Sequence, residues 1–189
     1  TLATSALFRF ARPAIGTIYI GGVDFKRLTT QQLRSLITII PQEPFLFNGT
    51  LRSNLDPFNQ HEDSAIWDAL GKAHLRDIIE AKSQMGLEIQ ITNGGNNFSV
   101  GERQLICLAR ALLVKAKIVV CDEPTSSVDH ETDAVIQQTI KQNLKDCTVL
   151  MIAHRTNTLS SCDKILVMQD GQVLEFAEPN KLQSKVFFE

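Results

Sequence analysis

Four cysteines in 189 residues, Cys107, Cys121, Cys147 and Cys162, include no C-x-x-C pair. Most sit among apolar residues, which points to reduced, buried thiols and away from a disulfide framework or a zinc site. An excess of one charge is also lacking. The formal net charge is −2, so no nucleic-acid footprint is present and no nucleic-acid partner is expected. No secretory leader opens the sequence, and no apolar run is long enough to cross a bilayer. The phosphate-cradling pattern G-x-x-x-x-G-K-S/T is absent as well. So is an initiator Met: the chain opens TLATSALFRFARP, with Leu2, Ala6, Leu7 and Phe10 already at helical spacing. An uncapped helical start is expected of a piece of something longer.

What is present reads as a globular domain with a real core, 43% apolar and 21% charged. The stretch GTIYI alternates and runs into a Gly21-Gly22 turn, a strand signal. TTQQLRSL predicts a short helix capped by Thr29 or Thr30. ITIIPQ predicts a strand buried on both faces and ended by Pro41. Residues 43–97 change character and predict a mostly helical insertion. PFLFNGTLRSNLDPF is rich in turn formers, and DSAIWDALGKAHLRDIIEA has helical periodicity through Ile66, Ala69, Leu70, Ala73 and Ile78. Strand signals return in KIVVCDE, CTVLMIAH and KILVMQDGQVLEF, with helical segments such as HETDAVIQQTIKQNL between them. The alternation predicts an α/β domain with a largely parallel sheet.

Chemistry concentrates at the strand ends. IVVCDEPTSSVD delivers Asp122 and Glu123 to the carboxyl end of a buried strand, where open α/β sheets bind ligands. Adjacent carboxylates there are costly unless something uses them. Such an aspartate can hold Mg2+ while the glutamate polarises an attacking water. The plainer alternative is that DEPT starts the next helix, acids being favoured by its dipole. His154 follows VLMIA, and Gln42 ends ITIIPQ. Each is weak alone, since a lone histidine after a strand is usually an ordinary core or surface residue. Three strand ends aiming Gln, Asp-Glu and His at one edge are a stronger signal.

The stretch NNFSVGERQLICLARALL opens another helix. Ser99 and Glu102 form the S-x-x-E of a capping box, with Leu105, Leu108, Ala109 and Leu112 facing a core. Gly101 in that first turn costs about 1 kcal/mol against alanine. A helix N-terminus without a β-carbon is an anion site. The expected anion is a phosphate, and since the capping box does not require Gly101, its approach is the expected sole reason for the glycine.

Together these motifs resemble an ATP-binding cassette (ABC) domain over essentially the whole chain. FSVGERQ resembles the family signature L-S-G-G-Q-[RQ]-Q, IVVCDE the Walker B strand, Gln42 the Q-loop, SSVD the D-loop and His154 the switch histidine. PQEPFLFNGTLRSNLDPF, with the retained Glu123, resembles the C-terminal nucleotide-binding domain of subfamily C, the multidrug-resistance-associated proteins. Phe98, Val100 and Glu102 depart from the signature's Leu, first Gly and Gln.

The resemblance implies a P-loop NTPase-like (RecA-like) core with a mainly parallel sheet, plus a helical subdomain. The core would span residues 1–42 and 114–189, and the helical subdomain, carrying the signature helix, residues 43–113. It implies ATP and Mg2+, with Glu123 as general base, His154 and Gln42 as catalytic partners, and Asp122, Gln42 and Thr1 toward the metal. Ser99, Gly101, Glu102, Asp129 and Thr1 would contact nucleotide, with Ser127, Val128 and Asp129 forming the D-loop. Thr1 falls at the hydroxyl residue closing Walker A, so the P-loop lysine and the first part of the fold would precede the chain. The implied partners are a second nucleotide-binding domain in a head-to-tail ATP sandwich and, through the Q-loop region, transmembrane domains. The implied place is the cytoplasmic face of a membrane, powering export of organic anions or conjugates. Alternative expectations are a nucleotide-gated regulatory module of a channel-type relative, an inactive piece lacking the P-loop, and, least of all, a soluble DNA-repair ATPase.

Overall fold

Val119, Val120 and Cys121 are buried in the middle strand of a three-stranded sheet, and the functional edge is built around them. In this computed structural model, the residues described are 2–11, 13–153 and 156–182. In chain order the elements begin with α1 (Leu2–Leu7), β1 (Tyr19–Ile20), β2 (Val23–Asp24), α2 (Thr30–Leu36) and β3 (Ile37–Ile40). There follow β4 (Gly49–Thr50), α3 (Leu51–Leu55), α4 (Asp63–Lys72), α5 (Arg76–Lys82) and β5 (Gln90–Ile91). Next come α6 (Val100–Val114), β6 (Ile118–Asp122), α7 (His130–Asn143) and β7 (Thr148–Ile152). The last are α8 (Thr156–Ser160), β8 (Ile165–Gln169) and β9 (Gln172–Ala177). The chain divides into two compact units, Thr1–Met151 and Ile152–Glu189.

In the first unit the sheet order is β3-β6-β7. β3 runs parallel to β6, in register from Ile37 opposite Ile118 to Ile40 opposite Cys121. The expected α/β class with a mainly parallel sheet is therefore the observed one. Of the two candidate caps for α2, Thr29 takes the role. Its Oγ accepts from the Gln32 amide, and the Gln32 side chain accepts from the Thr29 amide.

Three local expectations need correction. ITIIPQ is covered on both faces, with Ile37 and Ile40 buried on opposite sides, but not along its whole length, because Ile39 is 38% exposed. The stretch DSAIWDALGKAHLRDIIEA is two helices, broken where His74 turns left-handed at φ +56. And DEPT starts no helix: the next one begins at His130, capped by Asp129, so Asp122 and Glu123 are not dipole-compensating acids. The thiols match expectation in part, Cys107 and Cys121 being buried but Cys147 and Cys162 only half-buried. All four cysteines are free, and burial pushes Cys121 up to about 12, where it stays a neutral apolar group.

Helix α6 organises the first unit. Its inner face buries Leu105, Ile106, Leu108 and Ala109 in a core that also takes Leu46, Leu51, Ile66, Leu70 and Val119. Polar side chains on α6 tie down the segment after β3. Gln104, 1% exposed, donates from Nε2 to the Pro41 carbonyl at 2.9 Å. Arg110 donates from Nε to the Asn54 carbonyl at 2.8 Å and from Nη1 to the Phe45 carbonyl at 3.4 Å. Asn54 is fully buried; its amide donates to the Phe47 and Thr50 carbonyls and accepts from the Phe47 amide. Buried polar groups bonded in this way hold the segment in one geometry.

In the second unit β8 and β9 form an antiparallel hairpin around Asp170 and Gly171, both left-handed at φ +48 and +77. Ile165 and Val167 are buried there, while Leu166, Met168, Val173 and Phe176 are exposed.

Gly101 has a cause inside the chain. It is buried, and a β-carbon there would lie 3.0 Å from both Thr132 Cγ2 and Thr132 Oγ1 on α7. The expectation that only an approaching phosphate explains this glycine is therefore wrong: α7 already fills the space. Thr132 cannot rotate aside, because both arms of its branched side chain face Gly101 and Asp129 holds its hydroxyl and amide. Gly101→Ala is expected to destabilise the first unit by about 1 kcal/mol, overpacking outweighing the gain in helix propensity. In a Thr132→Ala background the same change is expected to be neutral or stabilising. Urea unfolding followed through Trp67, the sole tryptophan, measures both; equal costs in the two backgrounds contradict the contact.

Candidate functional site

Parallel pairing puts the carboxyl ends of β3 and β6 on one sheet edge, so residues following each strand emerge side by side. Gln42 follows β3 and Asp122 closes β6. Gln42 Nε2 donates to Glu123 Oε2 at 3.4 Å, linking the two strand ends. Asp122 and Glu123 are both half-buried. Glu123 has φ +45, a left-handed backbone that costs a non-glycine residue about 1–3 kcal/mol and clusters at functional sites. The Ser126 amide closes the turn on the Glu123 carbonyl at 3.1 Å. His154 and Thr1 lie outside the described residues.

A second group gathers at the start of α6. Ser99 caps the helix, its Oγ accepting from the Glu102 amide at 3.1 Å. Glu102 turns back so that Oε2 accepts from the Ser99 amide at 2.7 Å. The same oxygen lies 3.3 Å from Lys82 Nζ on α5. Asp129 joins this group through α7. Its carboxylate accepts from the Thr132 amide at 2.9 Å and the Thr132 hydroxyl at 2.8 Å, and those bonds hold its carboxyl below the ordinary value. Thr132 in turn presses on Gly101.

Two clusters thus emerge: Gln42 with Asp122 and Glu123, and Ser99, Gly101 and Glu102 with Asp129. Gln104, on α6 and bonded to Pro41, tethers the helix of the second to the strand end of the first. Sequence reasoning missed Gln104, Thr132 and Lys82. Gln104 carried a signal: it sits four residues before Leu108 on the buried stripe, and a polar residue on a core face needs a partner. Thr132 and Lys82 carried none, because their contacts join separate helices.

The donor set suits a hard cation. Mg2+ takes one or two protein oxygens plus phosphates and water, and Asp122 and Gln42 offer such oxygens. Among the described residues no group of three or more His, Cys, Asp or Glu forms a full metal cage. None of their helices is long and apolar enough to cross a membrane.

The family model described as ABC transporter matches residues 1–126. ATP-binding cassette sub-family C member 2 of Rattus norvegicus is 48% identical over 181 residues, 96% of this chain and 12% of that protein. Its Homo sapiens counterpart is 49% identical over 179 residues, 95% of this chain and 12% of that protein. Metal resistance protein YCF1 of Saccharomyces cerevisiae is 48% identical over 181 residues, again 96% and 12%. The chain thus spans about 12% of the length of these curated relatives. The family model and these relatives show that the chain belongs to the ABC transporter family, as a nucleotide-binding domain of the subfamily C type.

Proposed function

We propose that this chain is the ATP-hydrolysing part of a membrane exporter, acting from the cytoplasmic face. The observation that carries the reading is the Gln42–Glu123 hydrogen bond between the ends of two parallel strands, with Glu123 held in a strained backbone. Glu123 is the general base: its carboxylate accepts a proton from the water that attacks the γ-phosphate. Gln42 orients that carboxylate and contributes its amide oxygen toward Mg2+, beside Asp122. Mg2+, when bound, neutralises charge on the β- and γ-phosphates. His154 and Thr1 complete the set, His154 at the γ-phosphate and Thr1 at the metal.

Ser99, Gly101 and Glu102 form half of a second site, whose nucleotide is held by a second nucleotide-binding domain. Asp129 fixes the neighbouring loop facing that partner. The two hydrogen bonds it accepts from Thr132 support a positioning role for Asp129 over direct phosphate contact. Residues 1–42 and 114–189 act as the core and 43–113 as the helical subdomain, a division supported by the β4–β5 pair that closes part of the latter on itself. The segment pinned by Gln104 and Arg110 relays nucleotide state to transmembrane domains. The subfamily C relationship supports organic anions or conjugates as cargo, and a C-terminal place among two such domains.

In the intact transporter, Glu123→Gln is expected to cut ATP turnover at least about 100-fold while ATP binding persists, since a positioned general base supplies 10²–10⁴. Turnover near the unmodified rate removes Glu123 from the role of base. The purified 189-residue chain, which carries no phosphate-loop motif, is expected to show no ATP turnover above background. Robust turnover by it contradicts the assignment of catalysis to a site completed by other residues.

A further inference from the structure

Two departures from the family signature stand side by side here, Phe98 for leucine and Glu102 for glutamine, and one side chain touches both. Lys82, the last residue of α5, places Nζ 3.3 Å from Glu102 Oε2 and 5.3 Å from the centre of the Phe98 ring. The same ammonium donates to the Asn97 carbonyl at 3.4 Å. Phe98 is 3% exposed, so its ring is a fixed wall that offers its face to the cation. A leucine there offers no such face, and a glutamine at 102 offers no charge.

We propose that Lys82 is a positioning residue that neutralises Glu102, allowing a carboxylate to stand at a helix start that must receive the phosphate of another domain's nucleotide. This rests on the reading that the start of α6 faces nucleotide. An unpaired carboxylate repels an approaching phosphate, and the effect grows as water is excluded from a closing interface. Glu102 Oε2 accepts from the Ser99 amide and forms an ion pair with Lys82, so its charge is drawn back along the chain and offset there. Phe98 and Asn97 hold the ammonium in place for that purpose. Phe98 and Glu102, two of the three signature departures, are then one adaptation, with Lys82 as its third member. A purely structural role is a poor account of the lysine, because partly exposed ion pairs add little to folding stability.

The test is a double-mutant cycle in the intact transporter, read as the ATP concentration giving half-maximal turnover. Lys82→Met is expected to raise that concentration about tenfold without lowering the unfolding temperature, and Lys82→Arg is expected to restore it. In a Glu102→Gln background, Lys82→Met is expected to have no effect on it. An equal effect of Lys82→Met in both backgrounds overturns the proposal, as does a normal value in Lys82→Met alone. If Glu102→Gln and Glu102→Lys shift ATP saturation but Lys82→Met does not, only the lysine's role falls. If none of these variants shifts it, the nucleotide-facing reading of the α6 start falls as well.

Discussion

Everything near the site hangs on helix α6 being held at fixed distances from its neighbours. Gln104 ties it to the carbonyl just before Gln42, Arg110 ties it to the segment beyond, and Gly101 lets α7 approach to contact distance. These are short-range constraints with little slack. A buried amide must keep its partner, and two helices that touch without a β-carbon cannot accept one without moving. Strand end, signature turn and loop before α7 therefore form one stiff piece. Stiffness suits the proposed sharing of nucleotide contacts with another domain, in which both halves must arrive in register.

The same economy appears in the charges. Asp129 satisfies its own helix, Glu102 satisfies its own cap and meets Lys82, and Glu123 meets Gln42. Asp122 and Glu123, by contrast, cap no helix, and their adjacent carboxylates stand at the strand end. The left-handed backbone of Glu123 fits this view: strain persists where surrounding structure over-determines it.

Much of this was legible in the sequence wherever the cause was local. The Ser99–Glu102 capping box needs only three residues of spacing, and both bonds form. The apolar run Ile118–Asp122 reads as a buried strand because its neighbours cover it. Legibility ended where contacts cross between elements. Gly101 invited an external explanation because nothing in NNFSVGERQ reveals that Thr132 lies against it. The break at His74 left a trace that went unused: Leu75, Ile78 and Ile79 fall on the opposite side of a helical wheel from Ile66, Ala69, Leu70 and Ala73, so one unbroken helix would not bury both sets on one face. Ile39 looked buried from composition alone, yet it shares a face with buried Ile37, and its exposure is set by how far the cover on that face extends.

A structure of the intact transporter with ATP and Mg2+ bound tests the central claim most directly. The account predicts one nucleotide with its γ-phosphate beside Gln42 and Glu123, and a second, held by another domain, with its γ-phosphate at the start of α6 by Ser99 and Gly101. Nucleotide bound away from the β3 and β6 strand ends, or an α6 start turned from any phosphate, contradicts it.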